Sequence, residues 1–134
     1  MKNIRIAYWI FFCISIAIML LNIGLFFAVS LIILIPIVVL HASVGLKIQS
    51  LKKYTWLIVI SFLNLLLLAL IRPDGTHTTT NIGWSVLLDL LGYDGSFNRD
   101  FESYYFYGAI GLMLVQVLID TSLWILIKRN KNNL

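Results

Sequence analysis

The sequence predicts an all-α integral membrane protein, a four-helix bundle of four spans (tetraspan) with a short interfacial amphipathic helix between spans three and four. Three observations lead there. Hydrophobic residues make up 60% of the chain and charged residues only 12%, against about a quarter charged in an ordinary soluble domain. The mean hydropathy is +0.95. The apolar sequence also falls into four stretches near membrane-crossing length, at about 6–21, 24–46, 54–71 and 104–127, against the roughly 20 residues that a helix needs to cross about 30 Å of hydrocarbon. Within 134 residues such spans leave no room for a separate soluble catalytic domain, so residues 1–134 are read as one transmembrane domain.

The first two spans come from one nearly unbroken apolar run, 6–46, which at about 41 residues is twice the length of a single crossing. It must therefore fold as a helical hairpin. Asn22, Ile23 and Gly24 are the natural turn: Gly24 tolerates positive φ, and Asn22 can satisfy loose backbone groups where the first helix ends. Lys2 and Arg5 before an apolar core also fit a secretory signal peptide, but no small-x-small cleavage site follows and apolar sequence resumes at once. Cys13, the single cysteine, can form no intrachain disulfide. In span two, Pro36 removes a backbone donor and frees the carbonyl of Ile32, which predicts a kink.

The polar segment KIQSLKK at 47–53 separates span two from the third span. From 72 to 103 the composition turns to RPDGTHTTTN and later YDGSFNRDFES, rich in turn formers and acids. Between these parts, about 82–91, Asn81 could cap a short helix with Ser85, Asp89 and Gly92 on a polar stripe and Trp84, Leu87, Leu88 and Leu91 among its apolar residues. About ten residues cannot cross a bilayer, so this helix lies on the membrane or caps the bundle.

Orientation follows from the basic residues. Eight of the ten Lys and Arg lie at the N-terminus, in the 47–53 loop and at the C-terminus, whereas the 72–103 loop holds two of them and five of the six acids. Both termini are therefore expected on the cytoplasmic side of a bacterial inner membrane. The aromatic residues Tyr8, Trp9, Tyr54, Trp56 and Trp124 mark the inner edge, and Trp84, Tyr104, Tyr105 and Tyr107 the outer one. The net charge of +4 is a topology signal rather than a nucleic-acid one, so no direct nucleic-acid binding is expected.

Polar residues inside the spans are the candidates for chemistry. If spans three and four are antiparallel neighbours with aligned ends, Ser61 is level with Asp120 and Asn64 nearly level with Gln116. The pairs are spaced i, i+3 on one helix and i, i+4 on the other, so each shares a face. Ser61, Asn64, Gln116 and Asp120 form an expected intramembrane cluster, either interhelical glue or a proton or cation site. His41 either reaches Asp120 or sits as an interfacial histidine near the inner edge, and the second is the reading adopted. His77 has no Cys or second His nearby, so no metal site is expected. Gly108, Gly111, Val115 and Ser122 make a small-residue strip for helix packing on span four. A chain this small has little interior in which to hide an acid, which favours a homo-oligomer, taken as a tetramer. No HExxH motif, phosphate-binding glycine loop or Ser/His/Asp motif is present, so no enzyme and no cofactor are expected.

In size, span count, basic cytoplasmic faces and lack of a catalytic domain, the whole chain resembles the four-span membrane subunit of the Kiwa anti-phage defence system. The resemblance implies a small tetraspan protein that assembles in the inner membrane and works with a larger cytoplasmic effector that binds DNA. It carries over no functional residue. The expected function is a non-enzymatic sensor or anchor subunit whose cytoplasmic partner docks on Lys47, Lys52, Lys53, Lys128, Arg129 and Lys131. Immunity to a pore-forming toxin or bacteriocin, and a small channel or holin with Asp120 in its path, are the alternatives.

Overall fold

The computed structural model describes residues 2–75, 80–96 and 99–132, with the side chains of Gly75, Thr80, Arg99, Lys131 and Asn132 outside the description. Four of its helices are long and apolar enough to cross a membrane. They are α1 (Lys2–Leu21), α2 (Leu25–Leu46), α3 (Thr55–Ile71) and α5 (Glu102–Asn132). The short α4 (Gly83–Leu90) and a two-stranded ladder, β1 (Pro73–Gly75) with β2 (Thr80–Ile82), lie between α3 and α5. The strands are antiparallel, with Asp74 opposite Asn81. Nothing in the turn-rich composition of this loop announced a ladder.

Around the bundle α1 packs on α3, α3 on α5 and α5 on α2. The fourth side is looser. Between α1 and α2 runs an apolar groove of about 140 Å³ lined by Met19, Phe27, Leu31 and Leu34 among others. The α1–α2 turn forms at 22–24, but not through a left-handed glycine: Gly24 is extended, with φ −154°. α2 continues unbroken through Pro36, which lies exposed on its outer side.

The polar 47–53 segment is wound rather than looped. Ile48–Tyr54 is wound as two short 3-10 turns that meet at a kink at Leu51, with φ −105° and ψ 25°, before α3 begins, and the first turn brings Ile48 and Leu51 to one face. Both are fully buried, while Lys52 and Lys53 between that face and α3 remain exposed. The basic turn is thereby pinned to the bundle, and Asn130 Nδ2 adds a hydrogen bond to the carbonyl of Ser50 at 2.9 Å.

Each span contributes one buried stripe. On α5 the buried residues are Ala109, Met113, Gln116, Asp120, Leu123 and Ile127, alternating in steps of four and three as one helical face requires. The interior is layered. One apolar cluster, including Ile18, Leu34, Leu65, Leu68 and Met113, fills the end nearest α4. Another, including Tyr8, Val44, Ile48, Leu51, Leu123 and Ile127, fills the end carrying the lysines. His41 of α2, Ser61 and Asn64 of α3, and Gln116 and Asp120 of α5 are buried between them.

Helix α4 caps the bundle against α1 and α3. Its details depart from the expected interfacial arrangement in three ways. Asn81 is not the cap: Ile82 holds that position, and Ser85 turns inward, its Oγ accepting from Ile82 N at 3.1 Å and donating to Ile82 O at 2.9 Å. Of the apolar residues, Leu87 packs on the core and Leu88 is half-buried, whereas Trp84 and Leu91 point outward. Gly92 ends the helix rather than extending a stripe. Its φ of 80° closes a Schellman turn, in which Tyr93 N reaches Leu88 O and Gly92 N reaches Asp89 O.

Candidate functional site: an intramembrane polar node

Ser61, Asn64 and Gln116 gather about the Asp120 carboxylate, and one-turn spacing on each helix places them. α3 presents Ser61 and Asn64 one turn apart, and α5 presents Gln116 and Asp120 one turn apart. Ser61 Oγ donates to Asp120 Oδ1 at 2.6 Å, and Gln116 Nε2 donates to Asp120 Oδ2 at 2.9 Å. Asn64 Nδ2 donates to Gln116 Oε1 at 2.8 Å and to the carbonyl of Leu112 at 3.0 Å. That last pair fixes which end of the Gln116 amide faces the carboxylate. All four residues are buried.

His41 belongs to this node, which corrects its reading as an interfacial histidine. Its Nδ1 lies 3.1 Å from Asp120 Oδ2, 3.2 Å from Ser61 Oγ and 3.1 Å from Gln116 Nε2, and the residue is fully buried. Span α1 completes the enclosure. Tyr8 stacks on the imidazole with centroids 4.4 Å apart and an 11° tilt, Phe12 stacks at 5.5 Å, and Tyr8 OH donates to the carbonyl of His41 at 2.8 Å. A side chain at Gly45 would prevent this seating, because a Cβ there would sit 2.7 Å from the Tyr8 ring. The node therefore touches all four spans.

Burial of an acid in hydrocarbon is costly, and the donors around Asp120 offset that cost. Interhelical hydrogen bonds of this kind average about 0.6 kcal/mol each in membranes. The geometry is not that of a nucleophilic triad, although Ser61, His41 and Asp120 are in mutual contact. A triad uses opposite ring nitrogens for the serine and the acid, whereas here both approach Nδ1. The other nitrogen, His41 Nε2, has no hydrogen-bond partner among the described residues. What the arrangement offers chemically is a closed set of groups able to hold a proton.

A second buried polar group was missed by counting charges along the loop. Arg72, just past α3, is fully buried, and its Nη2 donates to the carbonyls of Met19 at 3.0 Å and of Asn22. These are carbonyls left open at the end of α1. Asn22 Nδ2 returns a bond to Arg72 O at 3.1 Å. Asp74 stands 3.7 Å from the guanidinium and accepts from Phe26 N at 3.1 Å and Phe27 N at 2.7 Å, capping α2 from outside that helix. Burial lowers the guanidinium below its ordinary value, and Asp74 opposes the shift. Only the contact of Asp74 with a distant helix start reveals this role, and no local pattern encodes it.

The remaining predicted residues are dispersed. Gly111, Val115 and Ser122 face outward from α5, and Gly108 is half-buried near Ile71. Within the chain, then, the small-residue strip does not serve as packing surface beyond Gly108. Lys47, Lys52, Lys53, Lys128 and Arg129 are exposed at one end of the bundle, with Lys47 Nζ 4.5 Å and Lys128 Nζ 5.9 Å from the centroid of the Trp124 ring. The side chain of Lys131, and His77 as a whole, lie outside the described residues. No group of three or more potential metal ligands occurs among the described residues. Compared with known proteins, the chain matches no family model, no curated protein and no solved structure.

Proposed function

We propose that this protein is a non-enzymatic subunit of a membrane complex, a sensor or anchor that holds a cytoplasmic effector at a bacterial inner membrane. The supporting observation is the construction of its basic end. Lys47, Lys52, Lys53, Lys128 and Arg129 are exposed together, while Ile48 and Leu51 are buried beneath them and Asn130 ties the turn to α5. A fixed, clustered positive surface suits a partner with an acidic face. The positive-inside rule puts this end, with both termini, in the cytoplasm, and the acid-bearing loop outside.

The outward-facing Gly111, Val115 and Ser122 on α5 suit a contact between copies of the chain, since small residues allow close backbone approach. The resemblance to the Kiwa membrane subunit is the ground for proposing a role in anti-phage defence. The channel alternative gains no support from the node, because Asp120 is fully buried and an apolar cluster separates it from the α4 end.

Native mass measurement of the detergent-solubilised complex tests the reading. The wild type should carry several copies of itself plus a soluble companion, and Lys52→Glu with Lys53→Glu should lose the companion while keeping self-assembly. Retention of the same companion by the charge-reversed protein would remove the docking surface.

A further inference from the structure

We propose that the His41–Asp120 pair is a proton-binding site, exchanging one proton through the lysine-bearing end of the bundle. The inference does not depend on a docked partner. It begins with charge. A carboxylate beside a neutral imidazole leaves a net −1 in a fully buried site, and addition of one proton makes the pair neutral, whether that proton rests on His41 or on Asp120.

The Ser61 and Gln116 donors lessen the cost of that charge, but no other ionised group in the node neutralises it. Facing the pair, α1 contributes Tyr8, a neutral phenol, and α3 contributes Ser61 and Asn64, which do not titrate. α2 and α5 contribute no ionisable group there beyond His41 and Asp120 themselves; Lys47 and Lys128 are held on the Trp124 ring, one turn further along α5 than Asp120. The closed packing therefore goes with the protonated pair. Loss of the proton leaves an uncompensated charge among apolar layers, which favours entry of water or separation of α2 from α5.

His41 Nε2 supplies the second, independent observation. It is a buried ring nitrogen with no partner among the described residues, so a proton can enter or leave there while Nδ1–H keeps donating to Asp120. Depth assigns the side. At about 1.5 Å per helical residue, His41 is roughly 9 Å along α2 from Lys47, and Asp120 roughly 12 Å along α5 from Lys128 but roughly 27 Å from Glu102. Both paths cross apolar packing, Ile18, Leu34, Leu65, Leu68 and Met113 on the longer one and Val44, Leu51, Leu123 and Ile127 on the shorter, so the difference in length assigns the side. Exchange is one-sided, so the site binds a proton without passing it across.

The test uses the full chain in sealed lipid vesicles, with nitrogen NMR of the histidine side chains and infrared detection of the carboxyl groups, titrated from about pH 5 to about pH 9. His77→Asn assigns the signals. The expected result is loss of one proton per chain from the pair, following the pH on the Lys53 side when the two faces are buffered separately. The transition should disappear in Asp120→Asn and persist in Ser61→Ala. Unchanged His41 and Asp120 signals across the range would overturn the proposal in favour of a static hydrogen-bonded pair, and a response only to pH on the Asp94 side would overturn its sidedness. Should Asp120→Asn not fold, the wild-type titration alone decides between these outcomes.

Discussion

Asp120 is the residue on which the interior depends, because three groups aim at one carboxylate. Ser61 Oγ, Gln116 Nε2 and His41 Nδ1 all lie within hydrogen-bonding distance of it. Removing the acceptor is therefore worse than removing a single donor. A buried donor left without a partner costs about 1–3 kcal/mol, whereas one interhelical bond in a membrane contributes about 0.6 kcal/mol. Asp120→Leu should lower unfolding free energy in detergent by several times the loss in Ser61→Ala, read from parallel thermal melts. Equal effects would mean that the node is not a connected network. Much of this site was legible in the sequence, since the equal depth of Ser61 and Asp120 and the one-turn spacing of each pair needed only aligned helix ends. His41 was not. α2 is apolar nearly all round, so no face of it announced a neighbour, and depth alone put the histidine close to the edge.

At the scale of elements, the chain ends its helices with contacts from far along the sequence. Arg72 closes the end of α1, and Asp74 caps the start of α2 while balancing Arg72. Cap removal costs about 0.5–2 kcal/mol, and stranding one member of a buried ion pair about 3–5 kcal/mol. Asp74→Ala should accordingly be strongly destabilising, with Asp74→Asn intermediate because the amide oxygen can still accept from Phe26 or Phe27 N. Thermal unfolding of the two variants checks the order; wild-type stability in both would show that α2 does not use this cap. The four spans were legible from length and hydropathy alone. The winding of Ile48–Tyr54 was hidden, because two buried apolar residues spaced i, i+3 sit within a lysine-rich segment that reads as a solvated loop. The β1–β2 ladder was hidden for a different reason: a three-residue strand carries too few side chains to show alternation.

Taken as a whole, the molecule is polarised along its axis. The described basic side chains other than Arg72 gather at the end holding the 3-10 turn and the C-terminal part of α5, while Asp74, Asp89, Asp94, Asp100 and Glu102 lie at the α4 end. Burial of Arg72 sharpens this asymmetry, since that charge is matched by Asp74 rather than offered to solvent. A docked effector, the one-sided proton exchange and the direction of any signal all require these two ends to lie on opposite sides of the bilayer. The direct measurement is side-specific labelling with a membrane-impermeant thiol reagent in intact cells, using Lys53→Cys and Asp94→Cys on a Cys13→Ser background. Position 94 should label from outside, and position 53 only after the membrane is opened. Labelling of both positions from outside would contradict this arrangement.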